Sequence, residues 1–499
     1  MASSYKTPGV YIEEKNAFPN AAVAVETAIP VFIGYTQKTE RNGKSLLRVP
    51  TKVSSLSEYI TYFGGDCIPQ FLIQDAPADA NDGTFFLNGK KMQLLLNSDS
   101  YSCFYKSIQL FYANGGNACY ILSVGTYVVN GKGFVIKAAD FVDDKSSLNV
   151  FDILKKELEP TLIVIPDIHA NSNDAYTLQQ KALAHCQDMQ SRFAILDVPQ
   201  STPNNLQLDI DQFRNGIGNN FLNYGAAYYP WLKTSIVDIA SIDYTFLNNY
   251  TTVLAMLPEA EAQKIVDQIK QYDTTAKDQQ ISEAHRLLLI TSPTYKAIMD
   301  AMVFKLNLLP PSAAIAGVYT SVDTSRGVWK APANVSLNMV NAPAINISNE
   351  QQASLNVDPV AGKSINVIRP FPGIGTLVWG ARTLDGNSQD WRYINVRRTL
   401  IMIENSLKLA MRAYVFEPND ANTWITIKSM FTNFLANLWK QGALVGSAPE
   451  DAFVVEIGLG VTMTPNDILD SIMRVTVKLA IVHPAEFIEI IFQQQQQTS

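Results

Sequence analysis

Acidic and histidine side chains gather in the sequence around the ends of two apolar runs in the middle of the chain. The runs Leu162 to Ile165 and Phe193 to Val198 flank a helical segment, Leu178 to Met189, and this order predicts a parallel β-α-β unit. In open α/β sheets, ligands bind where parallel strands end. One hypothesis is therefore an α/β enzyme or ligand-binding protein with its site near Asp167 and Asp197. The polar residues around these strand ends are Asp167, His169, Asp174, His185, Asp188 and Asp197.

The other interpretation of these aspartates is structural, because an aspartate that follows a strand commonly caps a helix or closes a turn. No nucleophile and no metal-ligand spacing accompanies them. Two Gly-Lys-Ser sequences, which contain Lys44 and Lys363, do not form P-loops, because Lys38 and Val357 stand where the motif needs its first glycine. No G-x-S-x-G, H-E-x-x-H or G-x-G-x-x-G sequence occurs. The sequence thus predicts a protein that is not an enzyme and binds no cofactor or metal.

Composition narrows the class of protein further. The 499 residues, 47% of them hydrophobic, suffice for about three globular domains. A net charge of -7 argues against a nucleic-acid-binding surface, which needs clustered Lys and Arg. There is no apolar run of about 18 residues and no secretory signal pattern, so we expect no membrane insertion and a cytoplasmic location. The cysteines lack C-x-x-C spacing and are predicted to be reduced and mostly buried; they are Cys67, Cys103, Cys119 and Cys186.

Two amphipathic helices are predicted near the C-terminal end. The apolar stripe of the first helix consists of Val396, Leu400, Ile403, Leu407, Ala410 and Tyr414. Four charged residues lie off that stripe, on a face predicted to be solvated or to meet a partner: Arg397, Glu404, Lys408 and Arg412. The second helix is predicted to begin after Asn419 or Asp420 and to stop at Gly442.

Extended segments are predicted at both ends of the chain. Alternation over Met473 to Ile481 indicates a half-buried strand, and Glu486 to Phe492 is extended again. This last segment has apolar residues on both faces and therefore needs a sheet edge to join. At the other end, Val10 to Glu13 reads as a short strand, and Lys15 to Thr27 as an extended connector. In the interior, Pro310 to Asn334 has a loop-like composition.

Several separated motifs resemble the contractile tail sheath proteins of phages and of phage-tail-like injection systems, including R-type pyocins and systems of the anti-feeding prophage kind. They occur in the family's order. The motifs are Pro8 to Glu14, Leu110 to Gly116 with Cys119-Tyr120, Gly225 to Leu232, Pro310 to Asn334, Trp391 to Arg398, Phe416 to Asp420, Gly442 to Leu444 and Pro484 to Phe487.

The resemblance implies a mixed α/β (α+β), multidomain tail-sheath fold. Residues 1–27 would form an N-terminal arm and connector, and 28–365 a middle region of two outward-facing subdomains. Residues 366–485 would form a two-helix plus β-sheet domain that faces an inner tube, and 486–499 a C-terminal strand arm. The residues expected to pair with neighbouring subunits are Val10, Tyr11, Ile12, Glu13, Phe487, Ile488, Glu489, Ile490 and Ile491.

The resemblance also implies a structural role. Subunits would form stacked hexameric rings around the tube and drive it forward by switching from an extended, metastable state to a contracted one. The implied partners are further copies of the chain, the inner tube protein, and baseplate and terminal cap proteins, without nucleic acid. Assembly would occur in the bacterial cytoplasm, giving a phage tail or a phage-tail-like particle, retained or released. The candidate tube-facing surface is either the helix over Asn419 to Gln441 or the solvated side of the helix over Asn395 to Tyr414, where the candidate residues are Arg397, Glu404, Lys408 and Arg412.

Overall fold

The computed structural model describes residues 22–77, 83–97, 101–127, 136–142, 149–167, 172–201, 205–271 and 278–490, with the backbone alone at 172–174. The predicted arm residues Val10, Tyr11, Ile12, Glu13 and Ile491 lie outside these ranges, as does His169.

The strands are β1 (Pro30–Thr36), β2 (Glu40–Arg41), β3 (Lys44–Ser45), β4 (Thr51–Val53), β5 (Phe71–Asp75), β6 (Thr84–Leu87), β7 (Lys90–Leu96), β8 (Cys119–Thr126), β9 (Leu162–Val164), β10 (Phe193–Asp197), β11 (Gly225–Tyr229), β12 (Leu232–Thr234), β13 (Leu308–Leu309), β14 (Val335–Ser336), β15 (Val340–Pro343), β16 (Ile365–Phe371), β17 (Gly375–Val378), β18 (Phe453–Glu456) and β19 (Thr476–Leu479). The helices are α1 (Leu56–Phe63), α2 (Phe104–Ala113), α3 (Ala138–Phe141), α4 (Val150–Leu154), α5 (Ser172–Met189), α6 (Leu206–Gly216), α7 (Tyr250–Ala255), α8 (Ala260–Gln271), α9 (Asp278–Thr291), α10 (Pro293–Leu306), α11 (Ser312–Arg326), α12 (Asn349–Asn356), α13 (Ile394–Met411), α14 (Ala421–Lys440), α15 (Pro449–Ala452) and α16 (Pro465–Leu469).

The chain divides into two compact units. The smaller unit consists of Met1–Val25 and Met402–Val482, and the larger unit of Glu26–Ile401 and His483–Ser499. The chain therefore passes between the units at three places, one of them inside α13. The domain boundaries predicted from the sequence, after residues 27, 365 and 485, are not tested by this division into units and stay predictions.

A nine-stranded sheet, in the order β14-β17-β16-β11-β10-β9-β1-β8-β4, runs through the larger unit. The strands from β16 to β8 are parallel, and antiparallel strands complete both edges. Strands β1, β9 and β10 are buried along their whole length, as expected of apolar strands covered on both faces. β9 and β10 pair in parallel, with Phe193 opposite Leu162, so the predicted β-α-β unit is confirmed.

Helices α2 and α11 pack together against one face of this sheet, in a core that includes Phe32, Phe111 and Tyr319. The loop-like interpretation of Pro310 to Asn334 is wrong over Ser312–Arg326, which is the helix α11. Its small residues permit a close approach to α2, since a Cβ atom on Gly317 would lie 2.6 Å from the backbone oxygen of Phe111. All four cysteines are free and buried, as predicted.

A separate apolar core lies between the β5–β7–β6 sheet and helices α7 to α10, and includes Phe71, Leu94, Leu288 and Met302. Within the part of the chain that the structure describes, no single helix is long and apolar enough to cross a membrane. The helices α9 and α10 meet such a criterion only as a pair, and they are bent by 114° at the break between them.

The smaller unit contains the predicted second amphipathic helix, α14. The Asp420 side chain accepts a hydrogen bond from the Thr423 backbone N–H at 2.9 Å, and Gly442 follows the helix at φ +84°. The N-cap at Asp420 and the glycine after the last turn confirm the predicted start and end of this helix. The strand predicted over Met473 to Ile481 is shorter, because only Thr476–Leu479 finds ladder partners, in the four-residue strand β18.

Candidate assembly site

Asp167, which follows β9, caps helix α2. It is fully buried, and its carboxylate accepts hydrogen bonds from the Ser102 hydroxyl at 2.7 Å and from the Cys103 backbone N–H at 2.9 Å. Burial raises the pKa of Asp167, while the hydrogen bonds from Ser102 and Cys103 act in the opposite direction. The carboxylate thus joins the end of a strand to the start of a helix.

Asp197, at the end of β10, makes the corresponding contact with helix α11. Its carboxylate accepts hydrogen bonds from the Ser312 backbone N–H, at 2.7 Å, and from the Ser312 hydroxyl. Burial raises its pKa to about 7, against these hydrogen bonds. The cavity beside it, lined by Ile163 and Gln179 among others, has a volume of about 10 Å³. Such a volume is at the lower limit for one water molecule and leaves no room for a substrate.

Of the other polar residues predicted near the strand ends, His185 and Asp188 do not join these two aspartates, while His169 and the Asp174 side chain lie outside the described part of the chain. His185 lies beside Arg192, with Nε2 and Nη1 2.6 Å apart, and Arg192 also donates a hydrogen bond to the Pro160 carbonyl, which precedes β9. Burial, together with the Arg192 charge, lowers the pKa of His185 to about 3. Asp188 is exposed, 3.9 Å from Lys155. Because α5 runs back across the sheet, His185 and Asp188 lie near the amino ends of the strands.

The Gly-Lys-Ser sequence at Lys363 has a structural role, and the one at Lys44 lies on the surface. Asp358 accepts backbone hydrogen bonds from Val360, Ala361 and Lys363, so the turn around Gly362 encloses a carboxylate. The Lys363 ammonium donates to the Arg214 carbonyl at 2.5 Å, and Lys44 is exposed in β3. Among the described residues, no group of three His, Cys, Asp or Glu side chains could hold a metal ion.

Glu486 attaches the C-terminal segment to the larger unit. The Arg382 guanidinium donates to both of its carboxylate oxygens, from Nε at 2.9 Å and from Nη2 at 2.6 Å. The Asn356 amide, at 2.7 Å, and the Tyr393 hydroxyl, at 3.0 Å, also donate to it. Burial alone would raise the pKa of Glu486, but the hydrogen bonds from Arg382, Asn356 and Tyr393 lower it on balance.

Immediately after Glu486 the segment turns its side chains to solvent. Phe487, Ile488 and Ile490 are 77%, 80% and 69% exposed, and Glu489 is exposed as well. The segment belongs to no strand up to residue 490, where the described chain ends. Consecutive exposed apolar side chains of this kind are typical of a segment that a partner covers.

The connector is held at Thr27 by a second buried arginine. Arg398 makes a bidentate ion pair with Asp323, at 3.0 and 2.6 Å, and donates to the Thr27 carbonyl at 3.0 Å. The Thr27 hydroxyl donates to Asp323 at 2.6 Å, and the Tyr319 ring stacks 4.5 Å from the guanidinium. The sequence predicted neither arginine anchor, although Arg398 and Glu486 each lie in a motif that the resemblance singled out.

Among the four charged residues predicted off the apolar stripe of the first amphipathic helix, Glu404 and Lys408 on α13 and Arg412 just after it are exposed, but Arg397 is not. Arg397 is 4% exposed, and its guanidinium lies 4.1 Å from the Tyr224 ring and 4.8 Å from the Trp391 ring. The expectation that Arg397 lies on a face that is solvated or meets a partner is therefore wrong. Two aromatic rings from outside the helix cover this position. The spacing of apolar residues within α13 could not predict these contacts.

Family models match two consecutive parts of the chain. Residues 247–384 match the phage tail sheath protein central domain, and residues 387–495 match the phage tail sheath C-terminal domain. Among individual proteins, the tail sheath protein of Vibrio phage KVP40 is 25% identical over 156 residues, and that of Salmonella phage ViI is 28% identical over 153 residues. Each alignment covers 30% of this chain, and spans 22% and 23% of the two phage proteins respectively.

Solved structures match over nearly the whole chain. A sheath complex of the PVC extracellular contractile injection system in its contracted state shares 27% identity, with a TM-score of 0.62 and coverage of 99% of both chains. The contracted helical sheath of the anti-feeding prophage shares 28% identity, with a TM-score of 0.61 over 99% of this chain and all of the other. A six-fold symmetrised baseplate structure of the same prophage contains a chain with 28% identity and a TM-score of 0.60, at the same coverage.

Proposed function

We propose that this chain, which belongs to the contractile tail sheath protein family, is the structural subunit of a contractile sheath. The observation that carries the proposal is the match, from one end of the chain to the other, with subunits of two contracted sheaths. The subunit polymerises around an inner tube and drives the tube forward as the sheath passes from an extended to a contracted state.

Subunits are joined by strands donated from one copy to the next. The acceptor is the two-stranded sheet of β18 and β19 in the smaller unit, since a two-stranded sheet alone is marginally stable in water and gains from further strands. The donors are the segment Phe487 to Ile491 and the N-terminal strand Val10 to Glu13. Because donor and acceptor surfaces differ, the contact is heterologous and propagates from copy to copy.

The first partner of the chain is a second copy of itself, in hexameric rings that stack as a helix. Similarity to a chain in an anti-feeding prophage baseplate structure supports association with a baseplate. An inner tube protein and a terminal cap protein complete the particle, which is assembled in the bacterial cytoplasm. Glu404, Lys408 and Arg412 are the residues we assign to the tube-facing surface, because Glu404 and Lys408 are exposed on α13 and Arg412 is exposed immediately after it.

The subunit has no catalytic activity of its own. The aspartates at the strand ends are occupied in capping α2 and α11, and the cavity beside Asp197 is too small for a substrate. The energy of contraction is therefore stored at assembly and released by rearrangement of intact units. ATP hydrolysis by homogeneous protein that is lost on Lys44→Ala or Lys363→Ala substitution would contradict this part of the proposal.

Electron microscopy of the purified chain, alone and with its inner tube protein, tests the function. We expect hollow, regularly striated cylinders of two lengths, the shorter appearing after mild denaturant. A monodisperse monomer or a small closed oligomer under all conditions would contradict the proposal.

A further inference from the structure

Two buried arginines of the larger unit each hold a segment that leads toward one end of the chain. The side chains of Arg382 and Arg398 are 4% and 3% exposed, and each makes two charge-assisted hydrogen bonds to one carboxylate. We propose that Arg382 and Arg398 are anchoring residues, which fix the roots of the C-terminal donor segment and of the N-terminal connector. The proposal rests on the sheath function proposed above and names the residues that make the two segments able to carry a load.

The geometry of both contacts suits an anchor. A guanidinium that donates two parallel hydrogen bonds to a carboxylate holds it in one orientation, which a lysine cannot do. Glu486 is held in addition by Asn356, at the end of α12, and by Tyr393, just before α13. Because its ligands come from three separate parts of the larger unit, Glu486 resists displacement in several directions.

The anchors also lie where the chain leaves the larger unit. The chain crosses between units after Val25, after Ile401 and after Val482. On the larger-unit side, the residues Thr27, Arg398 and Glu486 each lie within a few positions of one crossing. Both arginines belong to the stretch that connects β17 with the first turns of α13. A pull on either segment therefore reaches this stretch directly, through Arg382 or Arg398.

The first experiment measures whether Glu486 fixes the segment in the unassembled chain. A nitroxide is attached to an Ile488→Cys variant, since Ile488 is 80% exposed whereas the native cysteines are buried. Glu486→Gln removes the charge and keeps the shape, and we expect it to shorten the rotational correlation time of the label at least about threefold. Glu489→Gln is the matched control, because it makes the same change at an exposed carboxylate nearby, and it should leave the spectrum unchanged. Equal label mobility in wild type and Glu486→Gln would overturn the anchor.

The second experiment measures the protein concentration required for polymerisation. Glu486→Gln should raise this concentration at least about tenfold, which is equivalent to about 1.4 kcal/mol. Glu489→Gln should leave the concentration unchanged. For the connector, Thr27→Val removes the hydroxyl that binds Asp323 and should raise the concentration about threefold. Thr324→Val is its control, because it removes a hydroxyl that donates within α11, to the Thr320 carbonyl.

The outcomes separate the anchor from the sheath function. If Glu486→Gln frees the label but polymerises at the wild-type concentration, the load-bearing role of the anchor is refuted and the sheath function stands. If the wild-type chain forms no cylinders at all, the sheath function and the load-bearing role fail together. The label measurement still decides, independently, whether the contacts of Glu486 anchor the segment.

Discussion

Arg397 and Arg398 are adjacent on α13 and both are buried, yet the same substitution should affect them very differently. Arg398 is paired with Asp323, which is itself 5% exposed. Arg397 has no carboxylate within ion-pair distance among the described residues, and its Nε has no hydrogen-bond partner there. We therefore predict that Arg398→Met strongly destabilises the larger unit and that Arg397→Met does not.

The magnitudes follow from what each substitution leaves behind. Arg398→Met leaves the Asp323 carboxylate buried, with the Thr27 hydroxyl as its remaining hydrogen-bond donor among the described residues. The loss of one partner of a buried pair costs about 3–5 kcal/mol. Arg397→Met loses two cation–π contacts, each worth about 0.5–2 kcal/mol. Two effects offset this loss. The substitution removes a buried charge that no carboxylate among the described residues compensates, and each contact of the methionine sulfur with an aromatic ring contributes about 0.3–1.5 kcal/mol. The net change for Arg397→Met should lie within about 1 kcal/mol of zero.

Urea unfolding of the unassembled chain, followed by near-UV circular dichroism, measures both values. The comparison is valid where the variants share the wild-type denaturant slope, so that the midpoint reports the free energy of unfolding. A loss of more than about 2 kcal/mol in Arg397→Met would show that the ring contacts outweigh the cost of the uncompensated charge. A loss below about 1 kcal/mol in Arg398→Met would refute the assignment of Asp323 as a buried, dependent partner.

Three further predictions concern the arms and one buried carboxylate. Deletion of Glu486–Ser499 should leave a folded chain by circular dichroism that forms no cylinders by sedimentation, whereas normal cylinders would exclude the segment as donor. Insertion of two or three residues into Lys15–Thr27 adds on the order of 10 Å of slack, so sheaths should assemble but fail to shorten in electron micrographs, while the length-preserving Ala21→Ser should contract fully. The pKa of Asp197 is raised to about 7, so the stability that its protonated form contributes is fully present below about pH 4 and is lost as the pH rises through about 7. Relative to wild type, Asp197→Asn should flatten this decline in urea midpoints measured between pH 4 and 8, and parallel curves would contradict the raised pKa.

Elements governed by local pattern were predictable from the sequence. The β9–α5–β10 unit follows from three successive segments, each with its own local pattern. The cap of α14 at Asp420 and the end of that helix before Gly442 follow from residues within a few positions of each terminus. The helix α11 was missed, because its Ala, Gly and Ser residues give no amphipathic period. Those small residues are explained only by the approach of α2, which lies about two hundred positions earlier in the chain.

The candidate site was less predictable, because its contacts join distant parts of the chain. The resemblance pointed to Pro484 to Phe487 and to Trp391 to Arg398, but it could not pair Glu486 with Arg382 or Arg398 with Thr27. The side chains of Asp167 and Asp197 were correctly placed at strand ends. Their role as caps became clear only when the starts of α2 and α11 were located beside them.

The position of Glu486 in the chain gives the order in which a subunit becomes able to join others. Ribosomes synthesise Glu486 after Asn356, Arg382 and Tyr393, and its binding place is complete only when α12 and the start of α13 have folded. A nascent or misfolded chain therefore cannot present its donor segment in the bound position. Each molecule thus becomes able to polymerise only late in its folding, and growing filaments would incorporate completely folded subunits in preference to incompletely folded ones.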